Sequence, residues 1–82
     1  MTQIAVVAPI FNEEQNIEEF ASRVKAALEK ISNDYKIIFI DDGSKDKSWI
    51  KIKNLSEINN KITGLKFSKN FGTIFIPFTF TL

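Results

Sequence analysis

Two runs of mainly β-branched apolar residues, Ile4-Ala5-Val6-Val7-Ala8-Pro9-Ile10 and Tyr35-Lys36-Ile37-Ile38-Phe39-Ile40, constrain this chain more than any other feature. A strand wetted on one face alternates apolar and polar residues. A run that is apolar at nearly every position instead belongs to a parallel sheet whose two faces both need cover. Between the runs, Ile17, Phe20, Val24, Leu28 and Ile31 recur at spacings of three and four, one apolar stripe that predicts a helix over 14–31. Asn12 is its expected N-cap. Glu13, Glu14, Glu18 and Glu19 crowd its first turns, and Lys25 and Lys30 its last, the polarity a helix dipole favours.

The stretch 47–59 alternates like a strand at Ile50-Lys51-Ile52-Lys53, while Ile52, Leu55 and Ile58 fall at helical spacing; its length favours a helix. Asp46 or Ser44 can cap it, Asn59-Asn60 can stop it, and Thr63-Gly64-Leu65-Lys66-Phe67-Ser68 reads as a third strand. The strands are expected near 4–10, 36–41 and 63–67. Right-handed crossovers then give an α/β fold, a three-stranded parallel β-α-β-α-β sheet in the order 3-2-1, with both helices on one face. The other face lacks a layer. Residues 73–82, with three Thr, three Phe and a mid-run Pro, read as an extended tail that can lie over part of that face or add a strand beside the first. The uncovered face, together with an unprotected third-strand edge, predicts self-association.

The chain has no Cys and no His, which excludes thiol nucleophiles, disulfides, imidazole bases and the usual zinc sites. Its net charge of +1 gives no case for nucleic acid, although four cations and eight anions fall in residues 1–42 and seven Lys with two acids follow. No charged leader with an apolar core opens the sequence, and no apolar run approaches the roughly 20 residues that cross a bilayer. A cytoplasmic chain with no membrane segment is expected.

Ligands of open parallel sheets bind beyond the carboxyl ends of the strands. Three clusters fall there: Pro9-Ile10-Phe11-Asn12-Glu13-Glu14, Asp41-Asp42-Gly43-Ser44 and Ser68-Lys69-Asn70-Phe71-Gly72. Neither a Gly-x-Gly-x-x-Gly fingerprint nor a Gly-x-x-x-x-Gly-Lys-Ser/Thr loop is present, so a pyrophosphate is not cradled in either of those ways. An aromatic ring at Phe11, acceptors at Asn12 and Glu13, and two carboxylates opposite suit a nucleoside. A base can lie on the ring, a carboxylate can accept from base N–H or ribose hydroxyl groups, and Lys69 can approach phosphate. Each residue also has a plainer reading: Phe11 as core, Glu13 as a helix-start charge, Asp42 in a turn with Gly43, Lys69 as a solvated cation. A metal on Asp41 and Asp42 is disfavoured, because neighbouring side chains at a strand end point to opposite faces.

Taken together, Val7-Ala8-Pro9-Ile10-Phe11-Asn12-Glu13-Glu14, Ile40-Asp41-Asp42-Gly43-Ser44-Lys45-Asp46 and Phe67-Ser68-Lys69-Asn70-Phe71-Gly72 resemble the opening of a family 2 glycosyltransferase, nearest to polyprenyl-phosphate sugar transferases of the dolichol-phosphate mannose synthase type. The resemblance implies that residues 1–72 are the nucleotide-binding part of a GT-A, Rossmann-like fold, followed by a divergent Phe/Thr-rich tail over 73–82. It implies that Pro9, Phe11 and Glu13 line the base and ribose of a UDP- or GDP-sugar and that Asp41 or Asp42 contacts base or ribose. Asn12, Gly43, Ser44 and Lys69 complete the implied site. Phe11 stands where tyrosine is usual, which keeps stacking and loses a hydroxyl.

After Gly72 the sequence departs from the family, with no small-residue helix and no Asp-x-Asp metal motif. Full-length relatives are expected to use Mg2+ or Mn2+ and to work at the cytoplasmic face of a membrane. Here no cofactor and no catalytic residue are assigned, weak or no donor binding is expected, and truncation by a frameshift or early stop near residue 73 is the expected origin. The alternative is a non-catalytic α/β binding or interaction module. A receiver-like domain fits less well, because it wants its paired acids after the first strand.

Overall fold

A computed structural model of the chain describes residues 3–68 and 73–75. The elements are β1 (Ile4–Ile10), α1 (Ile17–Glu29), β2 (Tyr35–Asp41), α2 (Ser48–Ile58), β3 (Ile62–Ser68) and β4 (Thr73–Phe75). The chain is α/β, with three parallel strands and two helices. The strands lie in the order β1-β2-β3-β4, β1 with β2 and β2 with β3 parallel, β3 with β4 antiparallel. β4 lies along Lys66–Ser68, so the tail extends the sheet at the third strand and not beside the first, and that edge is partly covered. Residues 76–82 lie outside the described residues.

Side-chain parity decides which face carries the core. Ala8 and Ile10 of β1 and Tyr35, Ile37 and Phe39 of β2 are buried together with Ile17, Ala21 and Leu28 of α1, Ile52 of α2 and Ile62. Phe20 meets Phe39 edge-on, ring centroids 6.0 Å apart. On the opposite face Ala5, Val7 and Pro9 are exposed, Ile38, Ile40, Leu65 and Phe67 are half-buried, and Thr63 alone is buried. Both helices thus contribute to one core on one side of the sheet, and among the described residues no helix packs on the other.

β1 is an edge strand, which explains its proline. The Ile4 N–H donates to the Asp34 carbonyl and the Ile10 carbonyl accepts from Asp42, so the even residues of β1 bond to β2 and the odd ones face the free edge. Pro9 therefore lacks an N–H only where no strand of the described chain needs one.

The helices differ from the sequence expectation at their ends. α1 begins at Ile17, and its N-cap is Asn16, not Asn12. Asn12 stands at φ 51°, in the left-handed region that asparagine tolerates, and belongs to a loop. Ile31 lies beyond the helix and is exposed, whereas Ala21, absent from the expected stripe, is buried. In α2 the buried side chains are Ser48 and Ile52, and Ile58 is exposed. Asp46 does support the start of α2, accepting the Ser48 N–H on Oδ1 at 2.9 Å. Ser44 does not cap it. At the far end of the sheet the buried Tyr35 hydroxyl donates to Glu29 at 3.0 Å, with the Lys61 ammonium 4.2 Å from its ring centre.

Candidate functional site

The parallel pairing of β1 and β2 sets their carboxyl-end loops side by side. Ile10 pairs with Asp41, and the Asp42 N–H donates to the Ile10 carbonyl at 2.9 Å, so Phe11 and Asp42 leave adjacent strands at the same level. Phe11 is half exposed, at 51% of its surface. A ring so placed is not core, which sets aside the plainer reading of that residue.

The two aspartates separate by parity. Asp41 continues the inward row of Ile37 and Phe39 and is wholly buried, and neither carboxylate oxygen has a hydrogen-bond partner among the described residues. Asp42 is exposed in the loop, followed by Gly43 at φ 78°, a turn that glycine enters without steric cost. Of the pair, only Asp42 faces incoming solute. The divergence also bears on a metal. With one carboxylate inside and one outside, Asp41 and Asp42 do not converge on one ion, and among the described residues no group of three acidic or other metal-ligating side chains forms.

The first loop is bound to the second by its own backbone. The N–H groups of Asn12, Glu13 and Glu14 donate in turn to Ser44 Oγ at 2.9 Å, Ser48 Oγ at 2.9 Å and Asp46 Oδ2 at 3.2 Å. Asn12 Oδ1 accepts the Lys45 N–H at 2.8 Å, and Asn16 Nδ2 donates to Glu13 Oε2 at 2.9 Å. Partial burial pushes the Asp46 carboxyl upward, but bonds from Ser48 and Glu14 outweigh this and hold it below its ordinary value of 3.8. Three donors that could have faced a phosphate are thus already engaged.

Asn12 and Ser44, expected to contact a ligand, have their oxygens engaged within the loops, while Pro9, Phe11, Glu13 and Asp42 are exposed. Pro9 and Glu13 line a cleft of about 300 Å3 with Ile10, Ile17 and Phe20, at the lower end of the size of small-ligand pockets. Lys69 lies outside the described residues. Sequence reasoning missed the loop-bracing role of Ser48 and Asp46; the signal, hydroxyl and carboxyl groups at spacings of two after the second strand, was visible but has no local meaning.

Residues 5–74 match the family described as Glycosyl transferase family 2. The chain is 36% identical over 70 residues to YkcC, an uncharacterized glycosyltransferase of Bacillus subtilis, a match covering 85% of this chain and 22% of that protein. It is 37% identical over 70 residues to the undecaprenyl-phosphate 4-deoxy-4-formamido-L-arabinose transferase of Aeromonas hydrophila, covering 84% and 22%. To the putative glycosyltransferase CsbB of Bacillus subtilis it is 35% identical over 69 residues, covering 84% and 21%. The chain thus spans about a fifth of the length of these relatives.

Proposed function

The chain belongs to glycosyl transferase family 2, and from that premise we propose that its paired loops are the nucleoside half of a nucleotide-sugar donor site. The observation that carries the reading is the bond from Asp42 N–H to the Ile10 carbonyl, which brings Phe11, half exposed, and Asp42, exposed, to one level of adjacent strands. A base stacks on Phe11, where π-face contact is tolerant of base identity. Asp42 accepts from a base N–H or a ribose hydroxyl, and Glu13, which with Pro9 lines the neighbouring cleft, offers a second acceptor. Gly43 lets the ligand approach the backbone, and the Ser44 hydroxyl still has its proton to donate. Asp41 supports from below and does not touch the ligand. Lys69 would meet the phosphates.

In the whole protein this half-site would hold UDP- or GDP-sugar while the sugar passes from the nucleoside diphosphate to an acceptor. Polyprenyl phosphate is the acceptor class suggested by the relatives named for undecaprenyl-phosphate transfer. Mg2+ or Mn2+ would be held elsewhere, since Asp41 and Asp42 do not converge on one ion. The three-strand core with order 3-2-1 forms the matching half of a GT-A fold in this reading. No helix among the described residues is long and apolar enough to cross a membrane.

The test is titration of the 15N-labelled chain with UDP, GDP and ADP. Weak binding is expected, with Kd on the order of 1 mM, equivalent to about 4 kcal/mol, and saturable shifts confined to residues 9–14 and 41–45. Phe11→Ala and Asp42→Asn should remove them. No saturable shift in these loops with any of the three nucleotides up to about 10 mM, a Kd range worth under about 3 kcal/mol, would refute the reading.

A further inference from the structure

Ser44, Asp46 and Ser48 are spaced by two along the segment that leads from β2 into α2, and their side-chain oxygens meet three consecutive N–H groups of the first loop. The nucleoside reading uses neither Asp46 nor Ser48. Ser48 is wholly buried, and its Oγ is the acceptor for the Glu13 N–H. Asp46 uses both oxygens, Oδ1 for Ser48 and Oδ2 for Glu14, so one carboxylate ties the start of α2 to the approach to α1. One turn into α2, the Lys51 ammonium donates to the Glu14 carbonyl at 2.8 Å and pairs with Glu18 at 3.1 Å. The segment Glu13-Glu14 is therefore held by Ser48 and Lys51 of α2 and by Asp46 just before it, while the Asn12 backbone is bent into the left-handed region immediately upstream.

We infer that Ser48 and Asp46 are positioning residues of the nucleoside site: they fix the backbone at Glu13 and Glu14, and through it the direction of the Phe11 ring and the Glu13 carboxylate. The inference rests on the nucleoside reading and names the side chains that preorganise it. A loop of exposed residues held only by its ends would have to be ordered by the ligand, and that ordering would be subtracted from affinity. Here α2 has ordered it in advance. The hydroxyl is the part of Ser48 that matters, so threonine should serve and alanine should not.

The experiment compares wild type, Ser48→Ala, Ser48→Thr and Asp46→Ala in the full 82-residue chain, by amide hydrogen exchange without ligand and by UDP and GDP titration. Ser48→Ala should speed exchange of the Glu13 amide and weaken nucleotide binding, each by about tenfold, the factor that corresponds to loss of one hydrogen bond near the upper end of its usual net worth. Exchange in β2 should stay unchanged, and Ser48→Thr should restore both quantities. Asp46→Ala, at a half-buried position, should act likewise through Glu14 and keeps the test decisive if Ser48→Ala fails to fold. Wild-type affinity in a variant whose loop amide exchanges faster would overturn the inference, since the brace would then be structural only. Unchanged exchange in both variants would overturn it too. If the wild-type chain binds no nucleotide, the nucleoside reading has failed and the positioning role falls with it, whereas binding by wild type and alanine variants alike refutes the positioning role alone.

Discussion

The one-sided core makes neighbouring residues of β2 unequal, and Phe39 and Ile38 provide the comparison. Phe39 is completely buried, in register with Ala8 on one side and Gly64 on the other, and meets the Phe20 ring edge-on. Truncating a buried phenylalanine costs about 3–5 kcal/mol, and loss of an aromatic pair contributes about 0.5–1.5 kcal/mol. With alanine and glycine as lateral neighbours, little side-chain volume is at hand to refill the cavity, which places Phe39→Ala near 4–5 kcal/mol on that scale. Ile38 points to the opposite face, where Val7 beside it is 56% exposed. Ile38→Ala should cost about 1 kcal/mol, the span of strand propensities. An 82-residue domain has roughly 4–12 kcal/mol in total, so the first change removes much or all of the stability and the second a small share. Urea unfolding followed by the single tryptophan, Trp49, and by far-UV circular dichroism measures both. At a slope of about 1 kcal/mol per molar urea, Ile38→Ala should lower the midpoint by about 1 M, while Phe39→Ala should leave little or no folded baseline. A cost of about 3 kcal/mol or more for Ile38→Ala, the range of a buried large-to-small change, would show that a second layer covers the face and would refute the one-sided core.

Three further outcomes are expected. Light scattering coupled to size-exclusion chromatography at micromolar concentration should find self-association through the face of Val7, Ile38 and Ile40, and a monodisperse monomer would count against it. The depressed Asp46 carboxyl contributes stability that is present above its ordinary value of 3.8 and is lost as pH falls through its lower folded value; the urea midpoint of Asp46→Asn should therefore depend less on pH below about 4, and an acid limb equal to that of wild type would contradict the bonding pattern. The purified chain should transfer no sugar from UDP- or GDP-sugars to polyprenyl phosphate with or without manganese, because Asp41 and Asp42 do not converge on the ion expected to offset leaving-group charge; turnover that follows the protein through purification would overturn this.

The strands and helices were legible because burial leaves a pattern, continuous apolar runs for the strands and a spacing of three and four for the helices. Ile4 to Ile10 and Tyr35 to Ile40 announce parallel strands, and Ile17, Val24 and Leu28 a helix face. Parity along β2 also carried the fate of Asp41, since Ile37, Phe39 and Asp41 share one side, although the sequence reading left either carboxylate open. The errors arose where a long-range bond replaced a local one. Asn12 has the composition of an N-cap, but its side chain meets Lys45 and Asn16 takes the cap position. Ser48 resembles an ordinary first-turn serine until Glu13, 35 residues earlier, is seen to donate to it. No window of neighbouring residues contains that information. The placement of β4 was missed for a related reason, since three residues of tail can add to any edge and nothing in their composition selects β3 over β1.

The bonds that tie the loops also set the moment at which the candidate site comes into being. Their partners are separated by 32, 35 and 32 residues, and each bond spans the crossover that joins β1 to β2. Each closes a chain segment whose entropy loss grows only as the logarithm of its length, so sheet pairing bears the cost once for all three. The site therefore has no partial form that could precede the fold: a chain with Phe11 and Asp42 apposed has already closed its β1–β2 pair. A nucleoside that selects this apposition would bind folded molecules alone, shifting the folding equilibrium by mass action. It would slow unfolding more than it hastens folding if the loops lock after the rate-limiting step. In refolding kinetics the ligand should then act almost wholly on the unfolding limb.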